Sequence, residues 1–308
     1  RDDLLLYLSS GVSQNIEMGQ VVAQRIEVSE GTLSGIPFNI TEMDVPRNGL
    51  GIGRDGTLFM LQNLISGASG TSREVFSRYD PVSQKVESLD LPVADYDRFW
   101  PSPNGSQLVA ERTNASGPNS GTHLYIYDLK TKSERRLTYA NSVNRAPVWS
   151  RDGIVYYAVG IVATNQVQIY RKNADGSGPE EMVVENGDYP ALSPDGKWLA
   201  YTKEDEENGG DAQAMNLETG EIISVENTPD YTGDPFFSPN GRFIAISRAP
   251  ASGTQNVSPE QRVFVHSFPD LEQFSIQVVD QFADDPMWSS DGSTFYFRDG
   301  AALYGLKV

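Results

Sequence analysis

Short apolar runs, each closed by a polar turn, fill this chain from end to end. Six of the turns are of one kind, a small-polar or charged residue, then Asp or Asn, then Gly: GIGRDG ending at Gly56, WPSPNG at Gly105, VWSRDG at Gly153, ALSPDG at Gly196, FFSPNG at Gly241 and MWSSDG at Gly292. Asp-Gly and Asn-Gly between β-prone runs favour a tight hairpin, because Gly, and less readily Asn and Asp, accept positive φ at low steric cost. The runs that follow, among them TLFML, SQLVAE, KWLAYTK and RFIAISR, are rich in β-branched and aromatic residues and read as strands. A second alternating run comes after a variable loop (REVFSRYD, THLYIYDL, VQIYRKN, QRVFVHSF), and in most repeats a turn then leads to a short fourth run such as KVESLDL, ERRLTY or EIISVE. No helical period of useful length interrupts this order.

The intervals between the turn glycines are 49, 48, 43, 45 and 51 residues. A spacing of roughly 40 to 50 is that of one four-stranded propeller blade. The predicted fold is all-β: a six-bladed β-propeller of four-stranded antiparallel blades, strands a to d, in a single domain over 1–308. Repeats are placed at about 49–94, 95–142, 143–186, 187–230, 231–281 and 282–308, after N-terminal closing strands in 1–48. The last repeat stops after its third run, ALYGLKV, while LLLYLSS, QVVAQRIEVSEG and IPFNITEMDV precede the first turn motif. A ring closed by N- and C-terminal strands is therefore expected, since closure removes exposed edges. From Gly292 round the two ends to Gly56 is 72 residues, more than one blade uses. Seven blades, one of them built from the N-terminal runs, is the alternative.

PVWSRDG, PALSPDGKWLAY, PFFSPNGRFIAI and PMWSSDG resemble the TolB-type, or PD40, repeat, whose pattern is a proline, one variable residue, Trp-Ser-Pro-Asp-Gly and an apolar strand; GIGRDG and FWPSPNG follow it loosely. The order of segments is also similar to propellers attached C-terminally to bacterial serine/threonine kinases. The resemblance implies a binding scaffold or sensor module rather than a catalyst, a protein or peptide partner, and an extracytoplasmic location, periplasmic, cell-surface or secreted. Propellers of this kind also serve as gating domains of peptidases, so the alternative it implies is a propeller of a hydrolase, peptidase or lyase system.

Charge narrows the partners. With 42 acidic and 24 basic residues the formal net charge is −18, which repels phosphate backbones and argues against nucleic acid. There is no cysteine, so disulfides, thiolate metal sites and thiol nucleophiles are excluded. No apolar run is long enough to span a bilayer as a helix, and RDDLLLYLSSG has no leader-like basic region. His123 and His266, the only histidines, fall inside strand c runs, and neither a nucleophile elbow, a zinc helix nor a phosphate loop is present. Trp149, Trp288 and Trp100 are expected to pack between blades, with Trp198 on strand b.

Aligned on the turn glycine, the residues eight and seven before it are expected in the loop before each innermost strand, ringing one mouth of a channel: Asn48, Asp97 and Arg98, Arg145, Asp188 and Tyr189, Asp234, then Asp284 and Asp285. Converging carboxylates suit hard cations and ammonium groups, which makes this mouth the candidate for a ligand or partner. The competing structural reading is that these residues satisfy neighbouring loop amides, as Asx turns do. Asp205, Glu207 and Asp211 in KEDEENGGD are a weaker candidate for a calcium ion (Ca2+), their match to a calcium loop being poor. No motif requires a cofactor. Sequons at Asn39, Asn104, Asn114 and Asn256 would be glycosylation sites in a secretory pathway, although Asn104 also belongs to a turn motif.

Overall fold

The computed structural model describes side chains for residues 57–62, 64, 73–79, 85–114, 121–139, 142–161, 163–164, 166–204, 209–250, 260–278 and 288, and the backbone of the strands outside those ranges. Every regular element among the described residues is a strand, and the strands form seven antiparallel sheets in chain order. The N-terminal sheet holds β1 (Leu4–Ser9), β2 (Met18–Glu27), β3 (Thr32–Asn39) and β4 (Val45–Pro46). Next come β5 (Leu50–Ile52), β6 (Leu58–Asn63), β7 (Glu74–Asp80) and β8 (Lys85–Ser88), then β9 (Asp95–Pro101), β10 (Gln107–Asn114), β11 (Gly121–Asp128) and β12 (Glu134–Arg136). A third set is β13 (Val143–Trp149), β14 (Ile154–Ile161), β15 (Gln166–Asn173) and β16 (Glu181–Val184). It is followed by β17 (Gly187–Leu192), β18 (Trp198–Lys203), β19 (Asp211–Asn216) and β20 (Ile222–Ser224), and by β21 (Tyr231–Phe237), β22 (Phe243–Ala249), β23 (Arg262–Ser267) and β24 (Ser275–Gln277). Each of these five is a four-stranded meander in which every strand pairs with its neighbour in sequence. The last sheet has three strands, β25 (Asp284–Trp288), β26 (Thr294–Asp299) and β27 (Ala302–Lys307).

The expected closing strand is paired differently. β1 pairs antiparallel with β2, and β2 with β3 and β4, so the N-terminal strands make their own sheet and the last sheet keeps three strands among the described residues. Hairpin neighbours reach each other at a low loop-closure cost, which a strand brought from the far terminus does not share.

The repeated turn is a hydrogen-bonded unit, not merely a flexible joint. In the repeat ending at Gly196, the Ser193 hydroxyl donates to Asp195 Oδ1 at 2.6 Å and accepts the Trp198 N–H at 2.9 Å, while the Gly196 N–H donates to the Ser193 carbonyl at 2.9 Å. Ser102 with Asn104 and Ser238 with Asn240 repeat the pattern, and the glycines sit at φ of 67°, 76° and 69° where a side chain would be strained. Each turn thereby starts a second strand whose centre is buried on both faces, as the four consecutive buried residues of β10, β18 and β22 record.

Contacts divide the chain into two compact units: Arg1–Val155 with Val159–Val162 and Lys172–Pro179, and Tyr156–Ala158 with Ala163–Arg171 and Glu180–Val308. In the first, Phe76 packs at 4.6 Å from Tyr96 and 5.4 Å from Phe99, joining the β5–β8 and β9–β12 sheets through a core that includes Leu61, Leu108 and Tyr127. In the second, Phe268 meets Trp198 and Phe237 edge-on at 5.2 and 5.0 Å between two successive sheets, and Trp288 stacks on Phe243. Each such buried ring contributes about 1.5–3 kcal/mol. Trp149 and Trp288 are buried as their motif position implies. Trp100 is not: it is 38% exposed, because strand alternation turns Phe99 inward and its neighbour out.

Candidate functional site

Asn48 apart, which lies outside the described residues, the residues eight and seven before the turn glycine lie inside the first strand of their sheets, β9, β13, β17, β21 and β25, not in a loop before it. What sets them apart is a break in the ladder. The β9–β10 register shifts between Ala110 and Arg112, β17–β18 between Asp188 and Ala191, β21–β22 between Gly233 and Phe236, and β25–β26 between Asp284 and Met287. Such bulges leave residues out of the ladder and re-aim their side chains. Ala146, Tyr189 and Asp234, each seven residues before its glycine, sit at φ of 50°, 47° and 49°. Each precedes a proline, which disfavours helical φ/ψ for the residue before it. Three non-glycine residues in a costly conformation at one repeat position mark a site the surrounding structure must hold in place.

The holding groups come from the second strand of the preceding sheet. Thr202 Oγ1, on β18, accepts the Asp234 N–H at 3.1 Å, and Glu111 Oε1, on β10, accepts the Ala146 N–H. At Tyr189 the N–H goes to Asp188 Oδ1 at 2.9 Å instead. Glu111 and Thr202 both stand six residues after a turn glycine, as do Gln62 and Ser247, and all four are buried. Sequence reasoning passed over this position. Its signal is present, a polar residue ending an otherwise apolar run in LFMLQ, LVAE, LAYT and IAIS.

Two polar groups result, one in each unit. In the first, Glu111 is 2% exposed; burial and the nearby Asp97 push its carboxyl up to about 8, against the pull of Arg98, the Ala146 N–H and Arg145. Asp95 is raised as well, by burial and then by Asp97. The second unit gathers Asp188, Tyr189, Thr202, Tyr231 and Asp234. Burial, followed by Asp234 and Tyr189, keeps the Tyr231 phenol far above its ordinary value, so it remains a neutral hydroxyl. Gly233 is required here, because a Cβ would meet the Tyr231 hydroxyl and Thr202 Oγ1.

This geometry is set on a known scaffold. No family model matches the chain. A stretch of 118 residues, 38% of the chain, is 28% identical to the Tol-Pal system protein TolB of Helicobacter hepaticus and covers 26% of that protein. TolB of Acinetobacter baumannii superposes with a TM-score of 0.58 at 16% identity, over 86% of this chain and 61% of its own. The fold is a TolB-like β-propeller. A periplasmic gluconolactonase of Pseudomonas aeruginosa shares it, with a TM-score of 0.63, 14% identity and coverage of 99% and 96%. The chain thus spans about a quarter of the curated TolB it matches and under two thirds of the Acinetobacter protein.

On this TolB-like scaffold the remaining candidates separate. Asn48, Asp205, Glu207 and Asn256 lie outside the described residues, and Asn39, Asp284 and Asp285 are placed as strand backbone only. Asp211 opens β19, paired with Lys203, and no cluster of three or more metal-ligating side chains occurs among the described residues. Asn104 Oδ1 is engaged in its turn by Ser102 and Ser106, and Asn114 Nδ2 donates to the Tyr125 hydroxyl at 3.4 Å. His123 and His266 are buried in β11 and β23.

Proposed function

We propose that this TolB-like chain is a non-catalytic binding module for a cationic segment of a protein or peptide partner, with Tyr189 and Asp234 as contact residues in the second unit and the buried Asp188 carboxylate behind them, holding the Tyr189 N–H. The observation that carries this reading is the strained, bulged backbone that holds Tyr189 and Asp234 at the same repeat position of two successive sheets. Asp97, Arg98 and Arg145 hold the equivalent places in the first unit, and Asn48, Asp284 and Asp285 complete the proposed set. Support for a protein partner comes from the curated relative, named as part of the Tol-Pal system, and support for an extracytoplasmic location from the periplasmic relative. Seven blades are proposed rather than six, because the N-terminal strands pair with one another.

The test is titration of a fluorescent hexa-arginine peptide. Asp188→Asn with Asp234→Asn keeps the side-chain acceptor for the Tyr189 N–H and an Asn at positive φ, so the fold is retained. Binding weakens about fivefold, the value of one partly screened charge pair. Glu218→Gln with Glu221→Gln, an equal charge change on an exposed turn, leaves it unaltered; equal losses in both variants reduce the effect to net charge and end the proposal.

A catalytic reading has one observation in its favour. Glu111 is a buried carboxyl that stays protonated near neutral pH, the form a general acid requires. Hydrolysis of gluconolactone by the wild type and its loss in Glu111→Gln would favour this reading over the first.

A further inference from the structure

Glu111 stands apart from its counterparts. At the same offset from the turn glycine, other repeats carry Gln62, Thr202 and Ser247, none of which changes charge with pH, whereas this repeat carries a carboxylic acid. Thr202 and Glu111 perform the same task, accepting the N–H of a bulge residue held at positive φ in the following sheet. A hydroxyl acceptor suffices for that task at Thr202, so the acid adds something beyond the hydrogen bond.

The addition is a titratable group beside charged neighbours. Asp97 and Arg98 act on Glu111 from β9, and Arg145 acts from β13, directly before the Ala146 that Glu111 holds. Across β11 its ladder partner is the apolar Leu124. We propose that Glu111 is a proton-operated switch in the first unit: protonated, it is a neutral acceptor that holds the Ala146 bulge, and ionised, it draws the Arg98 and Arg145 guanidinium groups toward itself and re-aims both side chains. The only bond broken is the carboxyl O–H, whose proton goes to solvent. Burial and Asp97 bring this ionisation up to about pH 8, within reach of ordinary conditions. The switch needs no ligand and stands or falls separately from the binding reading of the second unit.

Carboxyl-labelled glutamate NMR tests it directly. One glutamate signal titrates near pH 8 while the others follow the ordinary carboxylate range, and that signal is missing in Glu111→Gln. The side-chain Nε–H signals of Arg98 and Arg145, assigned through Arg98→Lys and Arg145→Lys, move with the same midpoint in the wild type and stay still in Glu111→Gln. Glu111→Thr, which installs the neighbouring repeat's residue, serves as the second variant should the amide disturb packing. If every glutamate titrates in the ordinary range the buried acid is absent, and if the arginine signals ignore the midpoint the acid is no switch; either result overturns the proposal.

Discussion

Thr202 and Asp234 are 32 residues apart and on successive sheets, yet the Thr202 hydroxyl oxygen lies 3.1 Å from the Asp234 nitrogen and accepts its N–H. That bond ties a strained bulge to the strand beside it. Thr202→Val keeps the shape and removes the acceptor, so a buried N–H loses its partner at a cost of about 1–3 kcal/mol. Urea unfolding measures it, with Thr202→Ser expected to recover most of the loss.

Gly233 stands against the Tyr231 hydroxyl and Thr202, with no room for a methyl group. Gly233→Ala should destabilise by about 1–3 kcal/mol through overpacking. Combined with Tyr231→Phe, which removes the hydroxyl that the new Cβ would meet, the double variant should deviate from additivity by at least about 0.5 kcal/mol in a thermodynamic cycle. Strict additivity would show that the two residues do not compete for the same space.

Glycine should behave in the opposite way at Ala146. In a strand interior, replacing alanine by glycine ordinarily costs about 0.5–1 kcal/mol. Here the left-handed φ of 50° is relieved when Cβ is removed, a gain of about 1–2 kcal/mol. Ala146→Gly is accordingly expected to be neutral or stabilising by up to about 1.5 kcal/mol, read as an unchanged or raised Tm.

Glu111 makes stability fall as pH rises. Its folded-state carboxyl is raised to about 8 by burial and Asp97, so the folded protein binds the proton more tightly than the unfolded chain does. The contribution is complete below the ordinary glutamate range, declines as pH rises from there, and is lost once pH has passed through about 8. Urea midpoints between pH 5 and 9 should fall in the wild type relative to Glu111→Gln, and parallel curves would refute it.

Asp195 acts at the other end of the scale. Burial opposes its ionisation, but the Ser193 hydroxyl and the Lys197 N–H outweigh burial and hold the carboxyl below its ordinary value. Its stabilising effect is present above the ordinary aspartate range and lost as pH falls through the lowered value. Asp195→Asn retains the turn bonds, as Asn104 and Asn240 do in sister repeats, and should flatten the acid limb of a Tm–pH profile.

Sheet order and turn chemistry were legible in the residues themselves. SPNG and SPDG place Ser, Asx and Gly where each bond spans five residues or fewer, so composition and spacing alone determine the hairpin and the strand that follows. The apolar runs between the turns likewise determined a four-stranded meander, since each strand pairs with its sequence neighbour. Placement of the rim residues was less legible. Asp188 and Asp234 were recognisable by their offset from the turn glycine, but that they sit on bulged strands rather than in loops was not, because a bulge arises from how two strands fit, and the same letters read equally well as a loop.

Only the tertiary structure decided which of these residues carry unusual chemistry. Glu111 ends an apolar run six residues after a turn glycine, which marks its position, but nothing local tells that its carboxyl is desolvated. Its partner is 35 residues away at Ala146, and its charged surroundings are supplied by Asp97, Arg98 and Arg145 on two other strands. Local geometry follows from nearest neighbours along the chain and can be read there, whereas desolvation and positive φ before proline depend on groups that only packing of successive sheets brings together.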